Sequence, residues 1–230
     1  MTDFLNPREI QIVKDLANYY NLKFFVSSTF DNEEYGRVIL APDYYELDED
    51  DFEIKRLEIS YARQFNKLIH PKILGALINQ LGLERQVFGD VILDEKGRVQ
   101  FNIASHLASY AIMTITKIGK VSVTLREVSK DDWISNQEKY SQSFVLLSSM
   151  RLDNVLATVL KISRSNALKL IASVKVKLNY RQIEKADQTI SIGDMISVRG
   201  FGRFRLAQQE GISKSGKAKV VIDSLLRRQK

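Results

Sequence analysis

The sequence predicts a mixed α+β protein built from small domains, and three stretches carry that prediction. Apolar residues recur every three or four positions between 152 and 160, which is typical of an amphipathic helix. The period changes to two between 174 and 179, which favours a strand. Upstream, residues 86–128 read as two strands, a helix and a third strand, and this order indicates a small sheet with a helix on one face.

The amino-terminal elements begin with a helix that Asn6 caps and Pro7 opens. We expect this helix to bury one apolar face, made of Ile10, Val13, Leu16 and Ala17. Strand patterns follow at 23–29, 37–40 and 52–61, and residues 71–81 predict an apolar helix that Gly82 ends. Phe88 and Phe101 fit either a core or an RNA-binding sheet face.

Length and composition limit the class of protein. At 230 residues the chain has room for two or three small domains, and it contains no cysteine, which excludes disulfides and thiolate metal sites. The acidic run at 48–51 lacks the alternating ligands of a calcium loop, so no metal or other cofactor is expected. The start resembles no signal peptide and no apolar run is long enough to span a membrane, so we expect a cytoplasmic protein without membrane insertion.

The net charge of +6 hides a strong asymmetry along the chain. Residues 151–230 contain 17 Lys and Arg against 6 Asp and Glu, a formal charge of +11, whereas residues 1–150 carry −5. A basic balance confined to one segment is typical of a module that binds a polyanion. The acidic remainder of the chain suggests a second partner, a protein.

Three motifs in the basic segment resemble the RNA-binding domain first described in ribosomal protein S4. They are R-L-D at 151–153, S-R-S-N-A-L-K-L-I at 163–171 and V-K-V-K-L-N at 174–179. The resemblance implies that basic groups at the helix starts and on the adjoining strand hold structured RNA: Arg151, Arg164, Lys169, Lys175 and Lys177. Arg181, Arg203 and Arg205 complete the candidate set. This chain has Val174 and Tyr180 where the family usually has glycine, so we expect the turn between helix and strand to be strained or altered.

The segment L-G-A-L-I-N-Q-L-G-L-E-R-Q-V-F-G-D-V-I at 74–92, with T-D-F-L-N-P near the start, extends the resemblance to the bacterial YlmH family. The resemblance implies an amino-terminal α/β domain at 1–83, an RRM-like α+β domain at 84–148 and an S4-like RNA-binding domain at 149–230. It also implies a link to ribosomes, to translation quality control and to cell division. We therefore expect a protein that holds ribosomal or transfer RNA on the ribosome.

Two other classes of function remain open from the sequence. RNA pseudouridine synthases also use an R-L-D motif, with the aspartate as catalytic residue. Here the triplet opens a short helix of the binding domain, and only about 77 residues follow it, too few for a separate catalytic fold. We therefore expect no catalytic residue and give Asp153 a role at the helix start. The other alternative is a protein-interaction adaptor in cell division.

Overall fold

The computed structural model describes residues 1–31, 33–135 and 140–226. The chain divides into two compact units, Met1–Gln137 and Glu138–Lys230. The helices are α1 Pro7–Tyr19, α2 Ser28–Asp31, α3 His70–Leu81, α4 Ser105–Thr114, α5 Leu152–Leu160 and α6 Arg164–Ala172. In the first unit the strands are β1 Lys23–Val26, β2 Val38–Ala41, β3 Ile54–Ser60, β4 Phe88–Leu93, β5 Val99–Ala104, β6 Lys117–Ile118, β7 Val121–Ser122 and β8 Thr124–Glu127. In the second they are β9 Ser141–Leu147, β10 Val176–Leu178, β11 Arg181–Gln182, β12 Met195–Val198, β13 Gly202–Ile212 and β14 Ala218–Leu226, so the mixed α+β class is confirmed.

The first unit contains an antiparallel four-stranded sheet in the order β4-β5-β3-β8. Along the chain its elements run β3, α3, β4, β5, α4, β8, which is the βαββαβ arrangement of ferredoxin-like and RRM-like folds. The expected domain boundary at 83/84 differs from this arrangement, because β3 and α3 precede it. The strand pattern at 52–61 therefore belongs to the RRM-like sheet, whose central strands β3 and β5 are distant in sequence.

The core of this unit lies between the sheet and helices α3 and α4. Leu57 on β3, Leu77 on α3 and Ala111 on α4 are fully buried in it. Phe88 and Phe101 are also fully buried, with ring centroids 6.4 Å apart, so they are core residues and not an RNA-binding surface. Each such side chain contributes about 1.5–3 kcal/mol by leaving water.

The amino-terminal helix α1 begins as the sequence predicts. The Asn6 side chain accepts hydrogen bonds from the backbone N–H groups of Arg8 and Glu9. The backbone N–H of Asn6 in turn donates to the Glu9 carboxylate, which completes a capping box. Its packing differs from the prediction, since only Ala17 is buried and Leu16 is 49% exposed. The two-stranded sheet β1-β2 is too small to cover the whole apolar face of the helix.

The second unit is a six-stranded antiparallel sheet in the order β11-β10-β12-β13-β14-β9, with α5 and α6 on one face. Its core includes Leu156 of α5, Ile171 of α6 and Phe204 of β13. The expected boundary at 148/149 differs from the structure, because β9 lies before it and pairs along β14. Leu147 at the end of β9 is buried in the same core, which is why β9 belongs to the second unit.

No helix in the described part of the chain is long and apolar enough to cross a membrane.

Candidate RNA interface

Arg151 and Arg164, the two arginines predicted at the helix starts, meet on one buried carboxylate. Arg151 is the N-cap of α5 and donates from Nε and Nη2 to the oxygens of Asp153, both at 3.3 Å. Arg164, the first residue of α6, donates from Nε and Nη2 to Oδ2 of Asp153 at 3.0 and 2.7 Å. Asp153 is 1% exposed, whereas the two arginine side chains are 45% and 61% exposed. The carboxylate therefore holds two solvent-facing guanidinium groups side by side.

The local sequence explains why the two helices place these side chains together. Helix α5 stops at Lys161, which takes a left-handed conformation with φ of 55°. Ser163 then caps α6 by accepting a hydrogen bond from the backbone of Asn166. Arg164 consequently sits in the first turn of α6, where its guanidinium reaches back to the start of α5.

Asp153 stays ionised in this setting. Burial favours its neutral form, but hydrogen bonds from Arg151, Arg164 and the backbone N–H of Asn154 outweigh that effect and lower the pKa of its carboxyl group. The hydrogen bonds and the charge of Asp153 in turn raise the pKa of the Arg151 guanidinium. The trio carries a formal net charge of +1 and presents N–H donors at the surface, which suits a phosphate group.

Lys169 and Lys175 line a separate shallow pocket of about 470 Å³, together with Asn166 and Phe201. Lys175 is placed by the turn that ends α6. The backbone N–H of Val174 donates to Ile171 O at 3.0 Å and that of Lys175 to Leu170 O at 3.1 Å, which forms a Schellman motif.

Val174 and Tyr180 have φ values of 55° and 67°, in the left-handed region. These positions therefore keep the conformation that glycine favours, and a β-branched residue such as Val174 is strained there. The turn is strained as expected, and Lys175 follows it directly.

The remaining predicted residues lie elsewhere on the sheet. Lys177 pairs with Ser197, and Ser197 pairs with Arg203, so these side chains share the face opposite to Val176 and Phe204, which are buried under the helices. Arg205 lies on the same face as Arg203. It donates to Asp223 Oδ2 at 2.7 Å. Arg181 is exposed on the edge strand β11.

The structure thus pairs Arg151 with Arg164 and Lys169 with Lys175, whereas Lys177, Arg203 and Arg205 lie on strands of the sheet. Sequence reasoning missed the role of Asp153 as the common partner of the two arginines. It also missed Asn166 and Phe201 in the lysine pocket. An aspartate two residues after a helix-start arginine was a signal for the first role. The pocket had no local signal, since Phe201 and Lys169 are 32 positions apart.

Both units of the chain are similar to domains of known proteins. A family model described as "Putative RNA-binding domain in YlmH" matches residues 48–132, which contain the whole βαββαβ unit, and the S4 domain model matches residues 150–196. The chain is 33% identical over 223 residues to "Ribosome-associated protein quality control protein P2" of Bacillus subtilis (strain 168), and the match covers 97% of this chain and 86% of that protein.

A solved structure gives the same family. It is the "Cell division protein ylmH from Streptococcus pneumoniae", which matches with a TM-score of 0.52 and 41% identity over 58% of this chain and 81% of the other. Since the Bacillus relative spans nearly the whole chain and both domain models match in the same order, this chain belongs to the YlmH family.

Proposed function

We propose that this protein is a non-catalytic factor that binds structured RNA on the ribosome, in the cytoplasm, through the second unit. The observation that carries the proposal is the pair of exposed guanidinium groups of Arg151 and Arg164, fixed by the buried carboxylate of Asp153. A fixed pair of guanidinium groups can donate several charge-assisted hydrogen bonds to one phosphate or to neighbouring phosphates. Little side-chain freedom is then lost on binding.

The Lys169–Lys175 pocket provides a second contact in this mechanism. Its two ammonium groups suit the RNA backbone, and the ring of Phe201 offers an apolar surface on which an unpaired base can stack. Phosphate contacts position a protein without reading sequence, so selectivity comes from the shape of the RNA. Lys177, Arg181, Arg203 and Arg205 provide weaker, more general attraction from the opposite face and the sheet edge.

Binding without chemistry is favoured by the surroundings of Asp153. A catalytic aspartate of the pseudouridine synthase type has to reach its substrate base. The carboxylate of Asp153 is 1% exposed and accepts hydrogen bonds from two arginines and a backbone N–H. Its oxygens are therefore committed to holding the arginines.

The RNA is, in this proposal, ribosomal RNA or transfer RNA on the ribosome. The support is the name of the Bacillus relative, which describes a ribosome-associated quality control protein. We propose that this chain also acts in ribosome-associated protein quality control.

A protein-interaction role in cell division is the second candidate, and one surface favours it. Ile12, Leu16 and Tyr19 lie along one face of α1 and are 48%, 49% and 79% exposed. Contiguous exposed apolar side chains often mark protein contacts. The name of the Streptococcus relative, a cell division protein, points to the same class of function.

The test is the affinity of the full chain for three purified ligands: large ribosomal subunits, naked ribosomal RNA and transfer RNA. We expect large subunits to bind most tightly, and we expect Arg151→Gln with Arg164→Gln to weaken that binding at least tenfold. The matched control is Lys185→Gln with Lys214→Gln, which removes two exposed charges from the same unit. Equal losses in the two double variants, with both folded by circular dichroism, would refute the assignment.

A further inference from the structure

The RRM-like sheet of the first unit has an unusual outer face. The face opposite to α3 and α4 carries Arg56 and Glu58 on β3 and Gln100 and Asn102 on β5. These four polar side chains are only 0–3% exposed. In RNA-binding RRM domains this face of the two central strands stacks RNA bases on aromatic side chains. Here the equivalent positions are polar and buried.

The chain itself covers this face. Gln100 donates from Nε2 to Asp132 O at 2.9 Å and accepts from the backbone of Ile134 at 3.0 Å. The guanidinium of Arg56 lies 3.8 Å from the centre of the Trp133 ring. Glu33, from the other side, forms an ion pair with Arg56 and accepts from Asn102. Bases therefore have no open platform here, and any RNA contact has to lie outside the covered area.

A cluster of arginines stands at the edge of the covered face. The carboxylate of Glu58 forms ion pairs with Arg98 at 3.2 Å, Arg126 at 3.0 Å and Arg63 at 3.9 Å. Its own side chain is 3% exposed, whereas those of Arg126, Arg63 and Arg98 are 61%, 40% and 27% exposed. The arrangement repeats that of Asp153, with a buried carboxylate that holds exposed guanidinium groups. Here three arginines surround one carboxylate, a formal charge of +2.

The three arginines do not have equal roles. The hydrogen bond to Glu58 raises the pKa of Arg98, and the charges of Asp94 and Asp132 add to this effect. Arg98 also donates to Asp132 O at 3.1 Å. It therefore fastens the covering segment to the sheet. Arg63 and Arg126 are the more exposed pair, so the outward positive charge of the cluster resides on them.

An exposed aromatic side chain lies on the loop that carries Arg63, between β3 and α3. Phe65 is 81% exposed and follows Arg63 by two residues, a separation of at most about 7 Å along the chain. A phenyl ring this open to water is accessible for stacking, and an unpaired base is a suitable partner beside a phosphate-binding group.

We propose that Arg63 and Arg126, held by Glu58, form a second RNA-backbone site on the first unit, and that Phe65 stacks on a base next to the bound phosphate. This inference extends the proposed function, because it gives the RRM-like unit an RNA contact at its edge in place of its sheet face. Binding by both units would explain how an acidic first unit can still approach RNA.

The test is a salt series of the affinity of the full chain for purified large ribosomal subunits. Arg63→Gln with Arg126→Gln should reduce the slope of log affinity against log salt by roughly 1.4–1.8 and weaken binding about tenfold at physiological salt. The control is Arg8→Gln with Lys14→Gln, which removes two exposed cations from α1 of the same unit. Should the double variant unfold, Arg126→Gln alone, at the most exposed arginine, should give about half the change in slope.

The same series in the Arg151→Gln, Arg164→Gln background separates the two proposals. A loss that appears only on changing Arg63 and Arg126 would support this site and refute the Asp153 site. A loss that appears only on changing Arg151 and Arg164 would overturn this one.

Two further variants and one further ligand identify the partner. Phe65→Ala should weaken RNA binding roughly fivefold or more without changing the salt slope, because stacking releases no counterions. Binding that Phe65→Ala leaves unchanged would overturn the stacking contact. If Arg63→Gln with Arg126→Gln weakened binding to a polyglutamate peptide but left RNA affinity unchanged, the arginines would serve an acidic protein and the proposal would fail.

Discussion

Substituting Asp153 by asparagine separates two explanations of RNA binding by the second unit. Asparagine has nearly the same size and keeps one acceptor oxygen, but it has no charge. The substitution raises the formal charge of the site from +1 to +2 and releases the guanidinium groups of Arg151 and Arg164 from their common anchor. If charge alone drives binding, the variant binds RNA more tightly. If the fixed geometry matters, the variant binds more weakly.

The expected magnitude follows from the number of released side chains. Ordering one long side chain on binding costs roughly 2.3-fold to tenfold in affinity, so two freed arginines cost roughly fivefold to hundredfold. The added charge increases the affinity roughly threefold, for one unit charge about 7 Å from a phosphate in water. We therefore expect Asp153→Asn to weaken binding by roughly twofold to thirtyfold.

Stability should change in the same variant. The folded-state pKa of Asp153 lies below its unfolded value, so its ion pairs stabilise the fold above about pH 4, and the stabilisation is lost as pH falls through the folded pKa. The partners are about half exposed, so we expect a loss of about 1–2 kcal/mol at neutral pH. The variant should therefore show a weaker dependence of stability on pH at the acid end.

The assay is fluorescence anisotropy of a labelled ribosomal RNA fragment at fixed salt, together with thermal unfolding from pH 3 to pH 7 to follow stability. The control is Glu184→Gln, which removes one exposed carboxylate from the same unit. RNA affinity of Asp153→Asn equal to or above that of Glu184→Gln would refute the role given to the fixed arginines.

Three further predictions concern stability. Burial raises the pKa of Asp90 to about 6, so its ionisation lowers the stability of the fold as pH rises from about 4 through 6. Asp90→Asn should therefore stabilise the first unit by up to about 3 kcal/mol at pH 7 and by little at pH 4, as measured by urea unfolding at both pH values. Val174→Gly should raise the thermal midpoint of the second unit, because it relieves a left-handed valine worth about 1–2 kcal/mol, and should leave the salt slope of RNA binding unchanged. Gly202→Ala should unfold the second unit, because the added Cβ would lie 2.2 Å from Leu225 O and Gly202 has a φ of +115°. The control is Gly75→Ala on α3, where an added Cβ meets open space. Circular dichroism should show this control to be neutral or stabilising.

Much of the fold followed from local sequence. The change of period from helix to strand near residue 174 predicted α6 and β10, and Asn6, Pro7 and Gly82 predicted the ends of their helices. The domain boundaries differed because strand pairing is not local. Strand β3 joins β5 across more than 40 residues, and β9 joins β14 across more than 70, which no periodicity reveals.

The candidate site was likewise predictable where it depends on local sequence, and not where it depends on contacts between distant residues. The helix-start positions of Arg151 and Arg164 were evident from capping signals and charge. Their common partner was not, since a carboxylate in the first turn of a helix is equally explained by the helix dipole. The alternation of Val176 with Lys177 was visible in the sequence, whereas the register that sets Arg203 opposite Ser197 was not, because strand pairing is not local.

The most direct test of the central claim is a cryo-electron microscopy structure of the full chain bound to large ribosomal subunits. We predict RNA phosphate oxygens within about 3 Å of the guanidinium groups of both Arg151 and Arg164, with Asp153 still between them. A complex in which these two arginines face solvent while another surface of the second unit contacts the RNA would contradict the account.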